Sequence, residues 1–163
     1  MRDEPQKLLS AARSSAEARD RAGCELIVEV ARAGREVRLK VQGTSMLPSI
    51  RPGDILVVKP ERKTSLGAVA LVRREGRLFA HRAVRHFEDD RGGSWFVTRG
   101  DTLRASDPPV PCSDVLGRVM AVVRDGNLMP LQPKRSRIGS LTSLMLRRFP
   151  ALIPMIRPLS GVR

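Results

Sequence analysis

Tyrosine is absent from this 163-residue chain, and four phenylalanines and one tryptophan bring the aromatic share to only 3%. Surfaces that stack bases or sugar rings need aromatic faces, so none is expected here. Cysteine occurs twice, at Cys24 and Cys112. Two cysteines make neither a metal cluster nor a disulfide framework; they read as small buried hydrophobes in a reducing compartment. No apolar run approaches the roughly 20 residues that span a bilayer. The polar start Met1-Arg2-Asp3-Glu4-Pro5-Gln6-Lys7 is not followed by the apolar core of an export signal. The expected location is the cytoplasm, with no membrane-spanning anchor. Acidic residues are missing from Gly126 to Arg163, where Lys134, Arg135, Arg137, Arg147, Arg148, Arg157 and Arg163 are all basic. More than half of the formal charge of +13 therefore lies in the last quarter of the chain. Such a balance favours anionic partners, a nucleic acid or an acidic membrane surface, and carries no information about fold.

What is present is mostly strand signal. Val37, Leu39 and Val41 alternate with polar residues, as in a half-buried strand. Ile55 to Val58 and Gly67 to Val72 are short apolar runs, and Arg74-Glu75-Gly76-Arg77 is a hairpin-like turn into Leu78 to His86. Asp89 to Gly93 reads as a loop, Trp95 to Thr98 and Val115 to Arg124 as further strands, and Asp125-Gly126 as a hairpin signal. There are no internal repeats. The expected fold is mainly β, a compact domain over 35–125 with a helical extension over 1–34 and a basic, partly helical tail over 126–163. Within the extension, Lys7 to Arg21 suits a weakly amphipathic helix. Cys24, Ile27, Val28 and Ala31 share a helical face, whereas Cys24, Leu26, Val28 and Val30 suit a strand; Gly34, placed as a helix C′ residue, favours the helix. In the tail, Gln132 to Arg137 reads as a linker. Ser140 to Phe149 reads as a short helix with Ser140 as its N-cap, followed by Pro150, Pro154 and Pro158. Either that helix packs back on the domain, or its apolar side lies in a lipid boundary with arginines on phosphates.

The stretch Gly43-Thr44-Ser45-Met46-Leu47-Pro48, with Gly53-Asp54 behind it, places a small hydroxyl between two strands. Gly43 permits close backbone approach, and Pro48 and Pro52 fix the turn beyond. A base is needed to take the serine proton. No lysine occurs between Lys63 and Lys134, whereas His81 lies within a strand after one hairpin. An imidazole titrates near about pH 6.5, which suits proton transfer around neutrality. His86, five residues on, falls on the opposite face of the same strand, so a zinc site is not expected. Asp101 and Asp107 compete for the role of orienting His81, although Gly-Asp and Asp-Pro are also turn signals.

Gly43 to Pro48 with Gly53-Asp54 resembles the nucleophile box of the signal peptidases and of their relatives, the LexA-type self-cleaving repressors. Ala80-His81-Arg82-Ala83-Val84 resembles the histidine box of the Ser/His/Asp branch of signal peptidases. Thr98-Arg99-Gly100-Asp101, continuing to Ser106-Asp107-Pro108, resembles that branch's aspartate box, and Val115 to Val119 its closing strand. The likeness covers about Val37 to Arg124. It implies a β peptidase domain with Ser45 as nucleophile, His81 as base, Asp107 orienting His81 and Asp101 holding the site together, with no cofactor or metal. The Ser45 N–H is the expected oxyanion donor. Many relatives carry a second Gly-Asp where this chain has Gly67-Ala68, no helix-turn-helix precedes the β domain, and Ala22-Gly23 and Ala33-Gly34 resemble bonds that LexA-type repressors cut in themselves.

The expectation is a serine endopeptidase that takes a polypeptide as an extended strand on a sheet edge, with small residues before the cut by resemblance. Its basic tail is the candidate contact to an anionic membrane surface. The rival expectations are a binding module that keeps the fold without catalysis, and a basic nucleic-acid binder. The low aromatic content and the lack of a DNA-reading motif disfavour the last.

Overall fold

The computed structural model describes residues 4–61 and 64–134, with side chains in the first helix described from residue 18 onward. The proposed helix Ser140 to Phe149 and the prolines after it lie outside the described residues.

Helix α1 (Glu4–Arg32) is continuous, not the short helix plus separate segment read from the sequence. Ala, Arg, Glu, Leu and Lys are favourable helix formers throughout, so the thin apolar stripe of its first half does not end it. Its last turns are anchored by Cys24, Val28 and Ala31, which the helical spacing brings to one buried face. It stops at Gly34, whose φ is +76°. The Gly34 N–H donates to the Ala31 carbonyl (3.0 Å) and the Arg35 N–H to the Val30 carbonyl (3.2 Å), the paired bonds of a Schellman cap.

Eight strands follow: β1 (Val37–Lys40), β2 (Ile55–Lys59), β3 (Val69–Arg74), β4 (Arg77–Glu88), β5 (Ser94–Arg99), β6 (Val110–Pro111), β7 (Val115–Arg124) and β8 (Asn127–Pro130). They form one antiparallel sheet in the order β1-β2-β7-β3-β4-β5-β6, with β8 beside the end of β7. Glu75 and Gly76 between β3 and β4, and Asp125 and Gly126 between β7 and β8, all have positive φ, as two-residue hairpins require. The strand β8 extends the sheet beyond residue 125, so the segment read as tail begins with a paired strand.

Valines 69 and 72 with Ala70 and Leu71 are all buried, so β3 is covered on both faces. Val69 and Leu71 join α1, β1, β2 and β7 in the larger core, while Ala70 and Val72 join Ala83, Phe96, Val110 and Val115 in the smaller one. Two pairing details shape the site. Among the described residues, β1 is hydrogen-bonded on one side only, to β2. β5 pairs β4 only from Arg82 onward, so among the described residues Arg77 to His81 keep a free edge on the side away from β3.

Candidate functional site

The chain from Val41 to Asp54 leaves and re-enters the sheet through two backbone bonds, Val41 N–H to the Asp54 carbonyl (2.8 Å) and Gly53 N–H to the Val41 carbonyl (2.9 Å). Met46 and Ile50 are buried beneath this loop. Asp54 accepts two hydrogen bonds from Arg124 of β7, at 2.8 and 2.7 Å, and one from the Arg51 N–H. The Arg124 guanidinium is the main reason its carboxyl lies below the ordinary carboxylate range.

Ser45 is half-buried on this loop. Its carbonyl accepts from the Thr102 N–H and the Thr102 hydroxyl, both at 3.0 Å. Gly100 packs so close that a Cβ there would sit 2.8 Å from the Ser45 carbonyl oxygen. The turn after β5 therefore fixes the backbone that carries the serine. The Ser45 Oγ lies 2.9 Å from His81 Nε2. His81, buried on β4, has its Nδ1 2.6 Å from Asp107 Oδ2. An ionised carboxylate only accepts, so Nδ1 carries the hydrogen and Nε2 offers its lone pair to the serine hydroxyl.

Asp107 is held on every side. Its N–H donates to the Thr98 carbonyl (2.8 Å), the Thr98 hydroxyl donates to its Oδ2 (2.6 Å), and Arg74 stands 3.5 Å from its Oδ1. Burial pushes its carboxyl up, but Thr98, His81 and Arg74 outweigh this and leave it below the ordinary value. Asp101 makes no contact of this kind with the imidazole. It accepts two bonds from Arg82 (2.7 and 2.8 Å), one from the Ser49 hydroxyl (2.8 Å) and one from Lys134 Nζ (3.0 Å). Burial alone would raise its pKa; Arg82, Lys134 and Ser49 drive it far below the carboxylate range. Asp101 thus ties the serine loop, β4 and the segment after β8 together. The geometry separates the two competing aspartates: Asp107 meets His81, and Asp101 braces the frame.

Several contributors were not singled out in the sequence. Thr98 and Arg82 stand inside the recognised boxes with no role attached to them, and Ser49 sits just beyond the first. Arg74 and Lys134 carry no local signal, since their positions depend on the curl of the sheet. The missing second Gly-Asp leaves the turn intact. Gly67 adopts φ +83°, its carbonyl accepts the Lys134 N–H (2.9 Å), and a Cβ there would collide with the Lys134 carbonyl. His86 is exposed beside Ser94 (2.8 Å), away from His81. No group of three or more metal-ligating side chains occurs among the described residues. No helix among them is long and apolar enough to cross a membrane.

Ser45, His81 and Asp107 open into a cleft of about 560 Å³. One bank is Leu39 to Gly43, the other Leu78 to His81, and Met46, Ile50, Leu56 and Leu71 form the floor. A hydroxyl, an imidazole and a buried carboxylate in line are the equipment of acyl-transfer enzymes. A mainly β domain carrying this arrangement at a cleft is the class of protein that the fold and site define, and it fits a peptidase family. The chain belongs to the peptidase S24-like family, whose model matches residues 10–107, more than half of its length and a span containing Ser45, His81, Asp101 and Asp107. No curated protein matches it.

Proposed function

We propose that the protein is a serine endopeptidase in which Ser45 attacks a peptide carbonyl, His81 takes the hydroxyl proton and Asp107 orients and stabilises the imidazolium. The supporting observation is the unbroken run Ser45 Oγ–His81 Nε2 (2.9 Å) and His81 Nδ1–Asp107 Oδ2 (2.6 Å) at the mouth of an apolar cleft. As Oγ bonds to the carbonyl carbon, its proton passes to Nε2. Collapse of the tetrahedral species breaks the C–N bond, and the same proton leaves on the amine. Water then repeats the sequence on the ester, with Nε2 as base. The Ser45 N–H, which has no acceptor among the described residues, is the proposed oxyanion donor.

The substrate in this reading is an extended polypeptide seated between the free edges of β1 and of Arg77 to His81. By family resemblance it carries small residues before the cut. A separate cytoplasmic or membrane-proximal precursor fits better than the chain itself. Ala22-Gly23 lies inside α1 and Ala33-Gly34 forms its hydrogen-bonded end, so neither bond is extended, and neither lines the cleft.

The test compares protein N-termini in cells making the intact chain or Ser45→Ala. Termini present only with the intact serine support the peptidase and identify its substrate. Identical sets of termini, with both proteins folded and expressed, contradict it and favour a binding module on the same fold.

A further inference from the structure

We infer that the peptide taken by this cleft alternates apolar with acidic side chains, the acidic ones being read by Lys40 on one bank and Arg74 on the other. The inference rests on the peptidase reading of the cleft and adds the substrate class.

The alternation follows from β1. Val37, Leu39 and Val41 turn inward, buried or half-buried, while Arg38, Lys40 and Gln42 do not share that face. A strand laid along the free edge of β1 continues its pleat, so its own side chains alternate in the same way. Those on the inner side meet Leu39 and Val41 and, beneath them, Met46, Ile50, Leu56 and Leu71. Those between them run beside Lys40 and Gln42.

The charge follows from what lines the cleft. The Lys40 ammonium has no hydrogen bond or ion pair among the described residues. Arg74 lies with its guanidinium carbon 4.2 Å over the Phe79 ring and its Nη1 3.5 Å from Asp107 Oδ1. Its guanidinium makes no other polar contact among the described residues, which leaves N–H groups open toward the cleft. Among the described residues, Asp107 is the one acidic residue in the lining, and its Oδ2 is already engaged by His81 and Thr98. A carboxylate entering the cleft meets two cations and no uncommitted anion; an ammonium entering it meets like charge. The apolar floor strengthens both effects by lowering the local dielectric.

The test uses the full chain with Ser45→Ala, so that peptides are bound and not consumed, and reads fluorescence anisotropy of short labelled peptides. One series alternates Leu or Ala with Glu, a second with Gln and a third with Lys; a fourth has the Glu composition arranged in two blocks. An ion pair at a half-exposed site is worth up to about fivefold in affinity. The expected order is alternating Glu, then Gln, then Lys, with the block peptide weaker than its alternating isomer. Adding Lys40→Glu is expected to remove the Glu preference or reverse it. Equal binding of the Glu and Gln series, an order unchanged by Lys40→Glu, or equal binding of block and alternating peptides overturns this inference and leaves the peptidase reading standing. A folded protein that binds none of the peptides overturns both.

Discussion

At the scale of single residues, the two aspartates have different partners: Asp107 meets His81, and Asp101 meets Arg82, Ser49 and Lys134. Replacing Asp107 by Asn keeps the shape but lets the imidazole settle in the wrong tautomer, and kcat is expected to fall about 10³–10⁴-fold with an unchanged circular dichroism spectrum. Replacing Asp101 by Ala strips the carboxylate from Arg82, which is only 8% exposed. Removing one partner of a buried ion pair costs about 3–5 kcal/mol, so the urea midpoint should drop sharply. The pH dependence has a definite sign. Both carboxyls are held below the ordinary value in the folded chain, whereas an unfolded aspartate titrates near about 3.9. Their stabilisation is therefore present above that pH, complete about one unit higher, and is lost as the pH falls toward their folded values. Urea midpoints measured from neutral to acid pH should decline below about pH 5, and more shallowly in Asp101→Ala.

At the scale of elements, the loop Val41 to Asp54 and the turn Arg99 to Thr102 form one unit with β4. Gly67 closes that unit from the far side. An alanine there meets both a disfavoured φ of about 1–2 kcal/mol and the Lys134 carbonyl. Gly67→Ala should lower the unfolding free energy by at least that amount and detach Lys134 from Asp101. Leu71, 2% exposed in the cleft floor and part of the larger core, should cost about 2–5 kcal/mol as Leu71→Ala. The same elements show what was legible in the sequence. The major strands could be read because apolar alternation, Glu75-Gly76 and Asp125-Gly126 are local signals. The strand β6 could not: Val110-Pro111 is two residues long in a proline-rich stretch. β8 was hidden because Asn127 to Pro130 has no alternation to speak of and gains its place by pairing with β7. Ser45, His81 and Asp107 were legible through motif order; Arg74 and Lys134 were not, because they reach the site only after the sheet has curled.

At the scale of the whole molecule, charge is the outstanding feature. Seven basic and no acidic residues lie from Gly126 onward, and this stretch is proposed to meet an anionic surface. Lys134 belongs to the folded frame through Gly67, Ser49 and Asp101, so a truncation that tests the proposal begins after it. Flotation with anionic vesicles should recover the full chain, less so at high salt, and recover much less of the chain ending at Lys134; equal recovery of both would contradict a surface contact through the tail. The same truncation should leave the cleft intact, since its lining among the described residues runs from Leu39 to Asp107.

The proposed acyl transfer by Ser45, with His81 and Asp107, is open to direct measurement. Its most direct measurement is hydrolysis of a defined peptide mixture by purified full-length protein, read by mass spectrometry, for the intact chain and for Ser45→Ala. Cleavage by the intact protein at discrete bonds, reduced at least about 10³-fold in Ser45→Ala, is the predicted result. Equal cleavage by both proteins, or none by an intact and folded chain that binds the peptides, would contradict it.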